Sequence, residues 1–251
     1  MDIESLYKLI ENELEKEAIN KFDSKKEFII WNQEIYKKYK HKAYGLKVPE
    51  IEKIVNKYYN RFVEISFEER INLARKFYTS EYIAQTSFGL KILEISLSKL
   101  TPQRFEILDE MGGYLSDWGP TDSFSLHIMQ PLLRKYPNKV IELLRNWNNS
   151  NRTWKKRSSL VTFTRKIGAE GQYVDTLLEF CNDLIWDKED LVRKAIGWAL
   201  KDNMVGKNKE KVLNYVKDLR KKGVSSTITL YAIRNLKGKE REEILKIKSM
   251  K

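Results

Sequence analysis

The sequence predicts an all-α protein, an α-solenoid of stacked helix pairs, and three observations predict it. Apolar residues recur at three and four positions, the spacing that gathers them on one helical face. The breaks between such stretches are short and rich in turn residues. No stretch alternates apolar with polar residues and closes in a hairpin turn.

Taken in order, Leu6, Ile10 and Leu14 place a first helix over 3–20. A second spans 25–40 and stops before the turn Tyr44-Gly45-Leu46-Lys47-Val48-Pro49. Helices over 50–59 and 67–78 follow, the latter on the stripe of Ile71, Leu73, Ala74 and Phe77, and then 81–98. The helix over 102–111 ends at Gly112-Gly113. Trp118-Gly119-Pro120 precedes a helix over 120–135, with Pro120 at its first position. The helices over 138–146 and 151–166 are parted by Asn148-Asn149-Ser150-Asn151, and Gly168 to Gly171 forms the next break. Leu177, Leu178, Cys181 and Leu184 mark 172–185, after which come 189–203, 208–221, 226–235 and 239–247.

Helices this short cannot each bury an apolar face alone, so they must stack. Those starting near 138 and 151, 172 and 189, and 208 and 226 make three pairs spaced by roughly 35 residues, within the range of HEAT-like repeats. A compact irregular bundle is the structural alternative. No linker rich in Pro, Gly and Ser divides the chain, so residues 1–251 read as a single domain.

Charge is unevenly spread. Residues 1–150 hold 23 basic and 22 acidic side chains, whereas residues 151–251 hold 24 and 13. A basic surface suits a polyanion, because cations that neutralise phosphates release condensed counterions. Ordinary lysine-rich solubility explains the same composition. A membrane is the rival polyanion, but the sequence has no run of roughly 18 apolar residues and no apolar stretch behind a basic start. An intracellular, cytoplasmic setting is therefore expected. Cys181 is the sole cysteine and His41 and His127 the sole histidines, none at ligand spacing, so no metal and no cofactor is expected.

Three segments carry groups that an amphipathic pattern does not ask for. In Ser116-Asp117-Trp118-Gly119-Pro120-Thr121-Asp122 the carboxylate of Asp122 falls in the first turn of the predicted helix, where the macrodipole favours an anion. A plain helix start with a packing tryptophan explains the same residues. In the segment from Asn151 to Arg165, Arg157 falls within the stripe of Leu160, Val161 and Thr164, where a charge needs a partner. That partner is an internal carboxylate or a bound phosphate, and neighbouring Lys155 and Lys156 favour the phosphate. In the segment from Asp190 to Lys201, Arg193, Lys194, Gly197 and Lys201 share a face apart from the apolar stripe, and Trp198 lies at the border. Gly197 marks a close approach, by a ligand or by another helix.

Together these segments resemble the AlkD-type DNA alkylation repair glycosylases, which are built from HEAT-like repeats. The resemblance runs from the turn at Tyr44 to Trp198. Trp118 and Asp122 are similar to that family's tryptophan and its aspartate four residues on, Arg157 to its phosphate-contacting arginine, and Trp198 to its second tryptophan.

The resemblance implies a monofunctional DNA glycosylase that hydrolyses the N-glycosidic bond of cationic N3- or N7-alkylated purines in duplex DNA. Asp122, Trp118 and Trp198 would be catalytic, and Arg157, Lys155, Lys156, Arg193 and Lys194 would hold DNA. No cofactor and no obligate protein partner is implied. Two other classes share the pattern: a non-catalytic HEAT-like protein that binds damaged or branched DNA, and a helical scaffold for proteins.

Overall fold

The computed structural model describes residues 2–249, which form two compact units divided after Leu115. Among the described residues no strand occurs, and an isolated bridge pairs Lys42 with Tyr82. The chain is all-α, as the periodicity predicts.

The first unit holds α1 (Ile3–Ile19), α2 (Lys25–Tyr39), α3 (Val48–Lys57), α4 (Tyr59–Glu64), α5 (Phe67–Tyr78), α6 (Thr86–Ser96) and α7 (Phe105–Tyr114). Side chains that satisfy free N–H groups set several starts. Asp2 accepts from the Ser5 N–H at 2.8 Å, and Ser66 and Glu69 form a reciprocal capping box on α5. Leu6, Ile10, Leu14 and Ala18 of α1 are buried, and α5 packs against both α1 and α6. The turn before α3 is pinned from inside by Tyr44, whose ring stacks on Tyr82 at 4.2 Å and whose hydroxyl accepts from Gln85.

The second unit begins with α8 (Trp118–Phe124), which passes through a π-helical turn (Ser125–Met129) into α9 (Gln130–Lys135). It continues with α10 (Pro137–Asn148), α11 (Thr153–Val161), α12 (Arg165–Glu170), α13 (Val174–Leu184), α14 (Asp190–Asn203), α15 (Lys209–Lys221), α16 (Ser226–Ala232) and α17 (Gly238–Lys246). The predicted pairing is present here. Helix α10 packs on α11, α13 on α14 and α15 on α16, while α11, α14 and α16 also pack side by side as one layer.

Polar ties between successive pairs repeat the same interval. Arg134 meets Glu170 across 36 residues, Arg145 meets Glu179 across 34, and the Asn208 amide donates to the Gly171 carbonyl across 37. These separations match the repeat length read from the sequence.

Several expected elements differ in detail. The sequence places no helix over 60–66, yet α4 forms there, with Phe62 fully buried as its anchor. The helix predicted over 151–166 stops at Val161, and α12 starts at Arg165 and runs into the break placed at Gly168 to Gly171. Gly168 lies inside α12, and a Cβ there would come within 2.9 Å of the Phe163 carbonyl and of the Asp202 Cβ. It is a contact glycine, while Gly171, at φ 64°, makes the left-handed stop.

Candidate active site

Asp117 begins α8. Its extended backbone and its carboxylate, which accepts from the Gly119 N–H at 3.0 Å, make it the cap, so the helix starts at Trp118 rather than Pro120. Pro120 becomes the third helical residue, where an absent N–H costs nothing. Asp122 is thereby displaced into the second turn, beyond the free N–H groups that favour an anion in the first. What holds its carboxylate is a side chain.

That side chain is Arg157. Its Nε donates to Asp122 Oδ1 and its Nη2 to Oδ2, both at 2.8 Å, and its Nη1 donates to the Leu191 carbonyl at 2.6 Å. The pair is enclosed, with the side chains 7% and 14% exposed. The charge in the apolar stripe of α11 therefore has an internal carboxylate as a partner. A guanidinium fork matches a carboxylate edge to edge, which suits a pair that gives up solvation.

Burial is the largest influence on Asp122 and carries its carboxyl above the ordinary aspartate value, while the hydrogen bonds and charge of Arg157 pull the other way. Below this pair lies further polar packing. Ser125, at the start of the π-helical turn, sits 2.8 Å from Ser158 of α11, so the two helices carrying Asp122 and Arg157 are tied oxygen to oxygen.

Trp118 stands one helical turn before Asp122 and is 57% exposed, a large indole left facing water. Trp198, on α14, is half-buried and meets a residue to which the sequence reading gave no role: the Arg165 guanidinium lies 5.6 Å from the ring centroid. The charge of Arg165 also acts on Asp122, so this arginine relates the two parts of the site. Arg165 closed the segment singled out around Arg157, and its basic charge eight residues on was the available signal. Its backbone, at φ 51°, was not readable.

The other basic residues are engaged within the chain. Lys156 pairs with Asp187 at 2.7 Å, and Arg193 Nε donates to the Asp187 carbonyl at 2.6 Å, so both brace the loop before α14. Lys194 pairs with Asp190 one turn away on an exposed face, and Lys155 lies over the Trp147 ring at 5.6 Å. Gly197 serves helix packing, since a Cβ there would lie 2.6 Å from the Tyr231 Cβ of α16. Asp187 and the Leu191 carbonyl, both needed to hold this arrangement, carried no sequence signal.

No curated protein sequence matches the chain. Among solved structures, a protein of Enterococcus faecalis described as a predicted DNA alkylation repair enzyme is similar over 82% of this chain and 94% of its own, with a TM-score of 0.69. The two are 14% identical, so this likeness speaks for the fold. The family described as DNA alkylation repair enzyme matches residues 24–236, a span that contains Trp118, Asp122, Arg157 and Trp198. The chain belongs to the DNA alkylation repair enzyme family.

Proposed function

We propose that the protein is a DNA glycosylase that hydrolyses the N-glycosidic bond of cationic N3- or N7-alkylated purines in duplex DNA. One observation carries this reading: an enclosed carboxylate, Asp122, held at both oxygens by Arg157, with an exposed tryptophan one turn away on the same helix.

An alkylated purine already bears positive charge, so it departs without a general acid. The barrier lies in the positive charge that builds on the deoxyribose as the bond breaks, and a fixed negative charge beside that position lowers it. Asp122 supplies it. A carboxylate has about four lone-pair sites, of which Arg157 takes two, leaving the others for the sugar and for the attacking water. Because the fork fixes the carboxylate before substrate arrives, no reorganisation is needed at the moment of reaction.

Trp118 and Trp198 supply π-faces that favour a cationic sugar. Phosphates on either side are held by Lys155, Lys156, Arg193 and Lys194. Lys194 is the cheapest of these to redirect, since its pair with Asp190 is exposed and worth little.

The test is base release from a duplex carrying N7-methylguanine. Wild-type protein is expected to release the base, and Asp122→Asn to abolish release with duplex affinity almost unchanged. Unaltered release by Asp122→Asn rejects the role of Asp122. Duplex binding by wild type with no release at all makes the protein a binder of damaged DNA instead.

A further inference from the structure

The Trp198 ring forms one wall of an open pocket of about 470 Å³, which Arg165, Lys201, Asp202, Tyr231 and Asn235 also line. Both aromatic walls already carry a cation. Arg165 lies over Trp198 at 5.6 Å, and Lys201 lies over Tyr231 at 5.8 Å. A ring face occupied by a guanidinium is not available to a second positive charge, and a cationic sugar approaching it would be repelled. Arg165 thus stands within cation–π distance of the Trp198 ring, the place the glycosylase reading gives to a cationic sugar.

Arg165 is not held there by a carboxylate on its guanidinium. Its placement comes from the backbone: the residue adopts φ 51°, a conformation that non-glycine residues seldom take, and its N–H donates to Asp202 Oδ2 at 2.7 Å. Asp202 is in turn paired with Lys201 at 3.0 Å. The anchor is therefore the main chain, and the guanidinium fork is left with a π-face as its partner in the pocket. A phosphodiester oxygen pair is a stronger partner for that fork than an aromatic ring. Strained backbone of this kind persists where surrounding structure enforces it, and it collects at functional sites.

We propose that Arg165 is a positioning residue for the reaction: it occupies the Trp198 face in the free protein, and the phosphate backbone of bound DNA draws it off and opens that face to the cationic sugar. This proposal rests on the glycosylase reading for the identity of the cation that replaces it. It ties opening of the aromatic face to the presence of a DNA backbone, so an isolated cation in solution meets a closed ring.

The test uses two readouts that need no base release. The first is caesium-ion quenching of tryptophan fluorescence in DNA-free protein, taken as the difference between each protein and its Trp198→Phe counterpart. Arg165→Gly removes the side chain, keeps the N–H to Asp202 and tolerates the positive φ, and is expected to raise the Trp198 quenching constant about twofold or more. An unchanged constant overturns the resident cation. Arg165→Gln, which keeps most of the length without the charge, is expected to act in the same direction and serves if the glycine variant is poorly folded.

The second readout is binding of undamaged duplex across a salt series. The slope of log affinity against log salt is expected to shrink by about one in Arg165→Gly, the loss of one phosphate contact, and to be retained in Arg165→Lys. An unchanged slope in Arg165→Gly overturns the exchange onto phosphate. Loss of base release in Asp122→Asn alongside null results in both readouts would sustain the glycosylase and sink this proposal. Positive results in both without any base release would sustain the exchange and reject the glycosylase.

Discussion

Two ion pairs, one in each unit, share a design and differ in setting. In the first unit Arg75 of α5 grips Glu110 of α7 through Nε and Nη2 at 2.7 and 2.8 Å, across 35 residues of sequence. In the second unit Arg157 of α11 grips Asp122 of α8 through the same two nitrogens, also across 35 residues. The first pair is 37% and 33% exposed, the second 7% and 14%.

The carboxyls respond in opposite directions. The hydrogen bonds from Arg75 are the largest influence on Glu110 and hold it below its ordinary value, whereas burial outweighs Arg157 and carries Asp122 above. The same fork holds a carboxylate that water reaches in one unit and one that water scarcely reaches in the other. Helix stacking supplies the pair. Burial decides which way its carboxyl shifts.

The largest expected effect separates the two by activity. Asp122→Asn should lower base release by at least about 10²–10³-fold, the scale of a lost electrostatic contact in a water-poor site, while Glu110→Gln leaves release within about twofold. Equal losses in single-turnover assays would erase the distinction between brace and site.

Stability should separate them next. Arg157→Gln strands a buried carboxylate and is expected to cost about 3 kcal/mol in urea denaturation, whereas Arg75→Gln, at a partly exposed pair, should cost under about 1 kcal/mol. Similar midpoints for the two variants would mean that enclosure contributes nothing to the difference.

The pH dependence should show opposite signs. Asp122 holds its proton more tightly folded than unfolded, so its ionised form opposes folding above the folded value, and that penalty fades as pH falls through it. Glu110 contributes stability above its unfolded value that is lost as pH falls through its lower folded value. With Asp122 acting as the ionised carboxylate proposed above, the acid limb of base release should lie above the ordinary aspartate value of 3.8 and move higher still in Arg157→Gln. A limb at or below 3.8 in wild type would contradict the dominance of burial.

The smallest effect belongs to the exposed indole. Trp118→Phe keeps an aromatic face with a weaker quadrupole, and release should fall about five- to tenfold, roughly 1 kcal/mol, with folding unaffected. No change would remove Trp118 from the site and leave the carboxylate acting without it.

The helices were legible because periodicity is a local property: the four-residue spacing of Leu6, Ile10, Leu14 and Ala18 needs nothing beyond α1 to be read. The interruptions at Val161 and at the π-helical turn were not, since both answer to packing between helices. In the site, the misfit of Arg157 with its apolar stripe was visible from residue type and position alone. Its partner was not, because a buried charge states only that it needs an opposite one.

The sequence by itself determined the all-α class, the 35-residue interval and the presence of a charge that could not stay unpaired. Tertiary structure decided the rest: that Asp122 answers Arg157, that Lys156 and Arg193 brace Asp187, and that Arg165 lies on Trp198. The physical reason is range. Helix periodicity follows from neighbours three and four residues apart, whereas the protonation and availability of a carboxylate depend on burial and on partners that only folding brings within 3 Å.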